Sequence, residues 1–214
     1  MEEQENAHLL EPGLLAAWLA ARSIARGLPL PVPEHGGWRV DTRLPGEIRR
    51  HVFSGPVPGI SALASSIHGP HIFIKMCGSG EQLLRLLPPR WQLLPGGFFM
   101  SHEGGMHASA LPAGYQLDVT RSHAITTARI LGGDGCVAAS GHAVEHAGVF
   151  VFDRIVTEAA HRRRGLGRAL IAALAARQRS ASARRVLVAT EDGAKLYASL
   201  GWQIDSPYST ATIA

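Results

Sequence analysis

The spacing of apolar residues in the first part of the chain favours short, separated elements. Leu14 and Trp18, like Leu15 and Leu19, lie four positions apart, which predicts a helix over residues 13–26 that Gly27 ends. Alternating prolines over 28–37 favour an extended connector instead of a packed element. Further weak or short helical patterns cover 46–52, 59–67 and 81–87, and strand patterns cover 38–41, 71–76 and 98–101.

From Tyr115 onward the pattern is typical of strands. Alternating or continuous apolar runs predict strands at 115–120, 124–131, 137–144, 148–157, 186–190, 202–205 and 209–213. Helices are predicted at 166–179, with an apolar stripe from Leu166 to Leu174, and at 193–200. We find no internal repeat. The change of pattern places a boundary near residue 110, between an N-terminal lobe (1–110) and a second domain (111–214).

Composition indicates a globular protein, since 46% of the 214 residues are hydrophobic and 18% are charged. No apolar run approaches the twenty or so residues that a membrane span needs, so no membrane association is expected. The first residues, Met-Glu-Glu-Gln-Glu-Asn, do not resemble a secretory signal. Cys77 and Cys136 are the only cysteines, too few for a disulfide framework. These features predict a cytoplasmic protein.

Positive charge is concentrated in one segment of the chain. Residues 159–190 contain eight arginines and no Asp, Glu or Lys, whereas the rest of the sequence has more acidic than basic residues. Such a segment indicates one anionic partner, or else a solvated arginine face. A nucleic-acid partner is not expected, because no aromatic residue lies among these arginines.

A strand, a basic turn and a helix that opens with two glycines form the strongest local signal. A helix N-terminus carries unpaired N–H groups and partial positive charge, and small residues there let phosphate oxygens approach the backbone. A Walker loop would need Lys-Ser/Thr where Arg168-Ala169 stands, and a dinucleotide loop would need Gly where Leu170 stands. The acyl-CoA pattern Arg/Gln-x-x-Gly-x-Gly/Ala is matched by Arg162, Gly165 and Gly167.

On these residues the sequence resembles the GCN5-related N-acetyltransferase (GNAT) superfamily. The strand before the loop ends five residues ahead of Arg162, and residues 194–202 carry the family's Tyr-x-x-Leu-Gly-aromatic ending. The resemblance covers about 115–205. It implies an α/β (α+β) fold: a mixed, mostly antiparallel twisted sheet flanked by helices. The N-terminal lobe of helices and strands, residues 1–110, is then either a cover for the acceptor site or a partial GNAT-like half.

The resemblance implies acetyl-CoA as co-substrate. In the family the coenzyme's pyrophosphate binds backbone N–H groups, which correspond to residues 163–168. The pantetheine arm pairs with the fourth strand, here 155–157, which a bulge splays from the fifth. The implied coenzyme-binding residues are Ile155, Val156, Thr157, Arg162, Arg163, Arg164, Gly165, Leu166, Gly167 and Arg168.

The implied reaction is direct attack of a primary amine of a small molecule on the thioester. The amine must lose a proton first, and the leaving thiolate must gain one. Tyr197 occupies the family's position for the acid that protonates the thiolate, although it could also be a packed helix aromatic. Asp153 and Glu158 are candidate bases, and water is the alternative. A catalytically silent acyl-CoA sensor or interaction module is the second hypothesis.

The chain departs from the family pattern in two places. Glu191-Asp192 stands where relatives often have Asn before the fourth helix. Relatives also place two helices between their first and second strands, and here segments 46–67 and 79–88 could supply them, with 38–41 or 71–76 as the first strand.

No metal site is expected. The pattern His102-Glu103-x-x-x-His107 has the wrong spacing for a helical zinc site, and glycines interrupt it. Family members often form dimers, and the sequence leaves a monomer and a homodimer both open.

Overall fold

We describe residues 10–106 and 109–213 of a computed structural model. The helices are α1 (Pro12–Ala25), α2 (Pro58–Ser66), α3 (Gly80–Leu84), α4 (Leu166–Ala175) and α5 (Glu191–Ala198), with a 3-10 turn at Ala159–His161. The strands are β1 (Val32–Glu34), β2 (Gly37–Val40), β3 (Arg49–Phe53), β4 (Ile72–Cys77), β5 (Trp91–His102), β6 (Gln116–Ser122), β7 (Ile125–Leu131), β8 (Val137–His146), β9 (Val149–Thr157), β10 (Arg184–Thr190) and β11 (Gln203–Ile213).

These strands form one sheet in the order β1-β2-β3-β4-β11-β5-β10-β9-β8-β7-β6. The pairs β3/β4 and β9/β10 are parallel, and the other neighbours of the described sheet are antiparallel. The predicted fold class, a mostly antiparallel mixed sheet flanked by helices, is confirmed.

The fold contains a structural repeat that the sequence does not reveal. The units β3-α2-β4-α3-β5 and β9-α4-β10-α5-β11 each begin with a parallel pair joined by a helix. Their third strands are exchanged, so that β11 pairs with β4 and β5 pairs with β10. The boundary predicted near residue 110 falls in the connection between β5 and β6, and strands from both sides of it belong to a single sheet.

Several predicted elements differ from the observed ones. Residues 46–52, predicted as a helix, include the first residues of β3, whose backbone pairs with β2 and β4 on its two sides. Part of the proline-rich connector is β1, an edge strand in which proline is tolerated. The last two predicted strands are one strand, β11, with irregular register beside Ile204 and Tyr208.

Helices cover both faces of the sheet. Helix α1 packs on β8 and β9, and Trp18 meets Phe99 and Tyr208 edge-on at centroid distances of 5.4 and 5.8 Å. Helix α4 packs on the other face through Leu170 and Leu174, which are fully buried. Of the segments predicted to supply the family's two helices, 58–66 and 80–84 are helical, but they share a core with β3, β4, β5 and β11. None of the described helices is long and apolar enough to cross a membrane.

Candidate functional site

A gap opens between the two parallel strands of the second repeat unit. β9 and β10 pair only from Val149 to Val151, and beyond that point their described residues have no mutual pairing. Opposite β8, two residues of β9, Arg154 and Ile155, stand against Gly141 alone. Arg154 has a φ of 53°. This bulge bends β9 away from β10, so that the main-chain edge of residues 152–157 is left without a neighbouring strand.

The first repeat unit has no comparable gap. β3 and β4 pair along the whole of Arg49–Phe53. A Cβ atom at Gly59, in the first turn of α2, would overlap the carbonyl oxygen of His35, so the β1–β2 hairpin closes the start of that helix. Within the described parts of the chain, the second unit therefore has an open strand edge that the first unit lacks, and the start of the first unit's helix is closed.

The loop after β9 leaves its backbone N–H groups without hydrogen-bond acceptors among the described residues. Among the described residues, none of the N–H groups of residues 163–168 donates a hydrogen bond. Gly165, the residue before α4, has a φ of 82°, and Arg163 has a φ of 62°. Left-handed residues in such a turn direct successive N–H groups toward one side, which is the arrangement that binds phosphate.

Six of the segment's eight arginines fall into two groups. Arg179 and Arg184 lie 3.8 and 3.6 Å from Glu145 and Asp205, so they belong to ion pairs of the scaffold. Arginines 162, 163, 164 and 168 are exposed and have no carboxylate partner within the described parts of the chain. Arg177 and Arg185 also lack a carboxylate partner among the described residues, but four of the six guanidinium groups without such a partner belong to the loop with the free N–H groups, as a single anionic partner would require.

A short hydrogen-bond network supports this loop from outside. The Tyr115 hydroxyl lies 3.0 Å from His161 Nδ1 and accepts a 3.0 Å hydrogen bond from Arg164. Sequence reasoning missed it, because Tyr115 and Arg164 are far apart in the chain and neither belongs to a spacing pattern with the other.

Helix α5 lies close to the start of α4. A Cβ atom at Gly167 would come within 3.1 Å of Leu196, so this glycine also permits the two helices to approach. Tyr197 is 7% exposed and meets Trp202 edge-on at 5.5 Å. Burial, together with the negative charge of Asp153, raises the pKa of Tyr197, and the phenol is therefore protonated at neutral pH.

Asp153 lies in a buried ion pair. Its two carboxylate oxygens accept hydrogen bonds of 2.7 and 2.8 Å from Arg26, and Arg22 approaches to 3.5 Å. Burial alone would raise the pKa of Asp153, but the Arg26 hydrogen bond and the charges of Arg22 and Arg26 lower it. A carboxylate held in this way is a weak base, and its visible role is to attach α1 to β9.

Replacing Asp153 with Asn is expected to destabilise the fold by about 3 kcal/mol, because two partly buried guanidinium groups lose their shared partner. Since the folded-state pKa is lowered, the ion pair's contribution is present above about pH 4 and is lost as the pH falls below that value. Urea unfolding at pH 7 measures the change. Glu81→Gln, which removes an exposed ion pair with Arg85, should change stability by less than about 1 kcal/mol. Equal effects of the two variants would contradict this account.

Glu158, the other candidate base, is exposed where β9 leads into the 3-10 turn. Its backbone N–H donates a 2.9 Å hydrogen bond to Ala138, which fixes the start of the loop while the carboxylate faces solvent. Within the described residues no group of three His, Cys, Asp or Glu side chains could hold a metal ion. His107 lies outside the described residues.

Comparison with known proteins finds the same fold in solved structures of GNAT acetyltransferases. Residues 121–204 match the family model described as an acetyltransferase (GNAT) domain. A GCN5-related N-acetyltransferase from Kribbella flavida superposes with a TM-score of 0.65 at 14% identity, over 96% of each chain. A putative GNAT-family acetyltransferase from Novosphingobium aromaticivorans superposes with a TM-score of 0.55 at 18% identity, over 92% of this chain and 96% of its own. No curated protein matches the sequence.

Proposed function

We propose that this chain transfers an acetyl group from acetyl-CoA to a primary amine of a small molecule. The match of residues 121–204 to a GNAT acetyltransferase domain, and the fold shared with GNAT structures, support the proposal. One observation carries the proposal. The free N–H groups of residues 163–168 and the unpaired loop arginines stand directly beyond a strand whose edge is open. A diphosphate attached to an extended amide-containing arm is complementary to this arrangement.

In this proposal the coenzyme's diphosphate binds at residues 163–168, where N–H groups and guanidinium groups are both available. The amide groups of its arm pair with the main chain of residues 155–157, as an added strand would. Both contacts are made by backbone atoms, so the side chains of Ile155 and Val156 remain free to pack or to face solvent.

The chemistry requires two proton movements. The neutral amine attacks the thioester carbonyl, a C–N bond forms, and the C–S bond breaks to release the thiolate. A main-chain N–H of the open β9 edge would stabilise the developing oxyanion. Tyr197 supplies the proton to the thiolate, and its raised pKa keeps that proton available. Water or Glu158 accepts the amine's proton, because the ion pair of Asp153 occupies that carboxylate.

Calorimetric titration of the full chain with acetyl-CoA and with free CoA, at low ionic strength, tests the first half of the proposal. Release of free thiol in the presence of a panel of primary amines tests the second half. Binding together with amine-dependent thiol release is the expected result. Binding without turnover on any amine would identify the chain as a silent acyl-CoA binder, and absence of any binding would overturn the proposal entirely.

A further inference from the structure

A second cluster of charged side chains lies on the face of the sheet that α1 covers. We call it the basic cluster, and it consists of Arg22 of α1, Glu47 before β3, Arg50 of β3, Lys75 of β4 and Tyr208 of β11. The strand register explains how these residues meet. Lys75 pairs with Val52 on one side and with Thr210 on the other, and Tyr208 pairs with Cys77. Residues two apart on neighbouring strands thus face α1 together.

Positive charge in the basic cluster exceeds the negative charge that balances it. Glu47 accepts a 2.7 Å hydrogen bond from Arg50 and also lies 3.5 Å from Lys75. Arg22 shares Asp153 with Arg26. With Arg26 and Asp153 counted beside the cluster, four cations of the described residues depend on two carboxylates, in a region where Arg50 is only 2% exposed. Such an imbalance is costly in a protein interior unless a further anion is present.

Several polar atoms of the cluster have no hydrogen-bond partner. Within the described structure the buried unpaired atoms are three donors, Arg22 Nη1, Arg50 Nε and the Tyr208 hydroxyl, and one acceptor, Glu47 Oε1. The donors outnumber the acceptor, and buried donors are normally satisfied. The side chains of Arg22 and Lys75 are still 18% and 14% exposed, so the cluster borders solvent, whereas its unpaired donor atoms are themselves buried.

Burial, more than repulsion between the cations, lowers the pKa values of the cluster's basic groups. Burial, despite the nearby charge of Glu47, lowers the pKa of Lys75 to about 8, with Arg50 and Arg22 contributing. Burial and the charges of Arg26 and Arg50 lower the pKa of Arg22 to about 10. Cys77 and Tyr208, which face the same space, have raised pKa values and remain neutral. An anion bound here would favour the charged forms of Lys75 and Arg22.

The basic cluster is connected to the proposed reaction centre. Arg22 contacts Asp153, and Asp153 is the residue of β9 immediately before the bulge that opens the gap between β9 and β10. Its charge also acts on Tyr197, which packs on the opposite face of the sheet. A molecule held at Arg22 therefore lies beside the open part of β9.

We infer that the basic cluster binds a carboxylate of the acceptor, so that the acceptor is an amino-acid-like molecule carrying an acid group as well as the amine. This inference rests on the proposed function for the identity of the reaction. The carboxylate would take the unpaired donors of Arg22 and Arg50, with Lys75 adding charge. Guanidinium groups suit a carboxylate because they can donate two parallel hydrogen bonds.

The test compares α-amino acids with their carboxamides, which keep the amine and lose the negative charge. Thiol release from acetyl-CoA should show kcat/KM at least tenfold higher for the acid than for the amide of the preferred amino acid. A parallel comparison of O-phosphoethanolamine with ethanolamine distinguishes a phosphate from a carboxylate. Equal rates for acids and amides, or a preference for the phosphate pair alone, would overturn the assignment of a carboxylate.

Two variants locate the effect in the basic cluster. Lys75→Met should raise KM for the acid about tenfold and leave KM for the amide unchanged, and Tyr208→Phe should change KM in the same direction. Lys195→Met, at the only other lysine and on the exposed surface of α5, is the matched control and should have no effect. If Lys75→Met and Lys195→Met behave alike, the cluster does not bind the acceptor.

A binding measurement separates this inference from the proposed function. The N-acetyl form of the preferred amino acid should bind by calorimetry without coenzyme, and more weakly as the pH rises through about 8, where Lys75 loses its proton. Lys75→Met should weaken this binding and leave that of CoA unchanged. If CoA binds and no N-acetyl amino acid of the panel does, the inference fails while the proposed function stands. If the reverse holds, the proposed function fails.

Discussion

Replacing Tyr197 with Phe is expected to lower kcat about 100-fold, which is the usual scale for losing a general acid. The Kd for acetyl-CoA should change less than about twofold. The ring stays packed against Trp202, so the variant removes the proton donor and keeps the shape of the core. Steady-state kinetics with calorimetry separate the two quantities. Because burial raises the pKa of Tyr197, kcat should show no loss through ionisation of this phenol between pH 7 and 9.

Tyr115→Phe is the informative counterpart. It removes a hydroxyl that contacts His161 and Arg164 and so supports the loop between β9 and α4. It should weaken coenzyme binding and leave kcat at saturation unchanged. If Tyr197→Phe instead keeps kcat, or loses coenzyme affinity to the same extent as turnover, Tyr197 is a packing residue and another group protonates the thiolate.

The double replacement Arg163→Gln and Arg168→Gln is expected to raise the Kd for CoA about 100-fold at low ionic strength. Each guanidinium would make a charge-assisted contact of about 1.5–3 kcal/mol, and exposure to solvent reduces the sum. Added salt should weaken the wild-type complex more than that of the double variant, because screening acts on the charges that the variant has lost. Calorimetry at two salt concentrations measures both effects.

A matched control removes the same charge elsewhere. Arg121 and Arg177 are exposed and lie away from the loop, so Arg121→Gln with Arg177→Gln should leave the Kd nearly unchanged. If both double variants weaken binding equally, the effect reflects overall charge, and the loop has no special role in holding the diphosphate.

The loop between β9 and α4 could be predicted because the sequence features that mark it lie close together in the chain. The end of β9, the glycines before α4 and the apolar stripe of α4 lie within about twenty residues. Their meaning depends on helix geometry and not on distant contacts. The bulge in β9 was expected only through resemblance to the family, and the structure places it at Arg154 and Ile155.

Features that depend on distant pairing could not be predicted in the same way. Residues 49–53 form a strand because β2 and β4 flank them, not because of their own pattern. The ion pair that occupies Asp153 joins residues 127 positions apart. The basic cluster had one visible signal, a lysine at position 75 within an otherwise apolar strand pattern, but nothing nearby in the sequence shows what surrounds it.

The exchanged strands also constrain how the protein can be made. β11 lies between β4 and β5 in the sheet, yet it is synthesised about 100 residues after β5. Until then β4 and β5 each lack a neighbour, and their hydrogen-bonding edges stay open to wrong partners. Domains of this size often begin to fold during synthesis. In this sheet, however, the central strands β4 and β5 can pair with β11 only after all the other strands have been synthesised. The contacts that complete it are long-range, and slow folding follows.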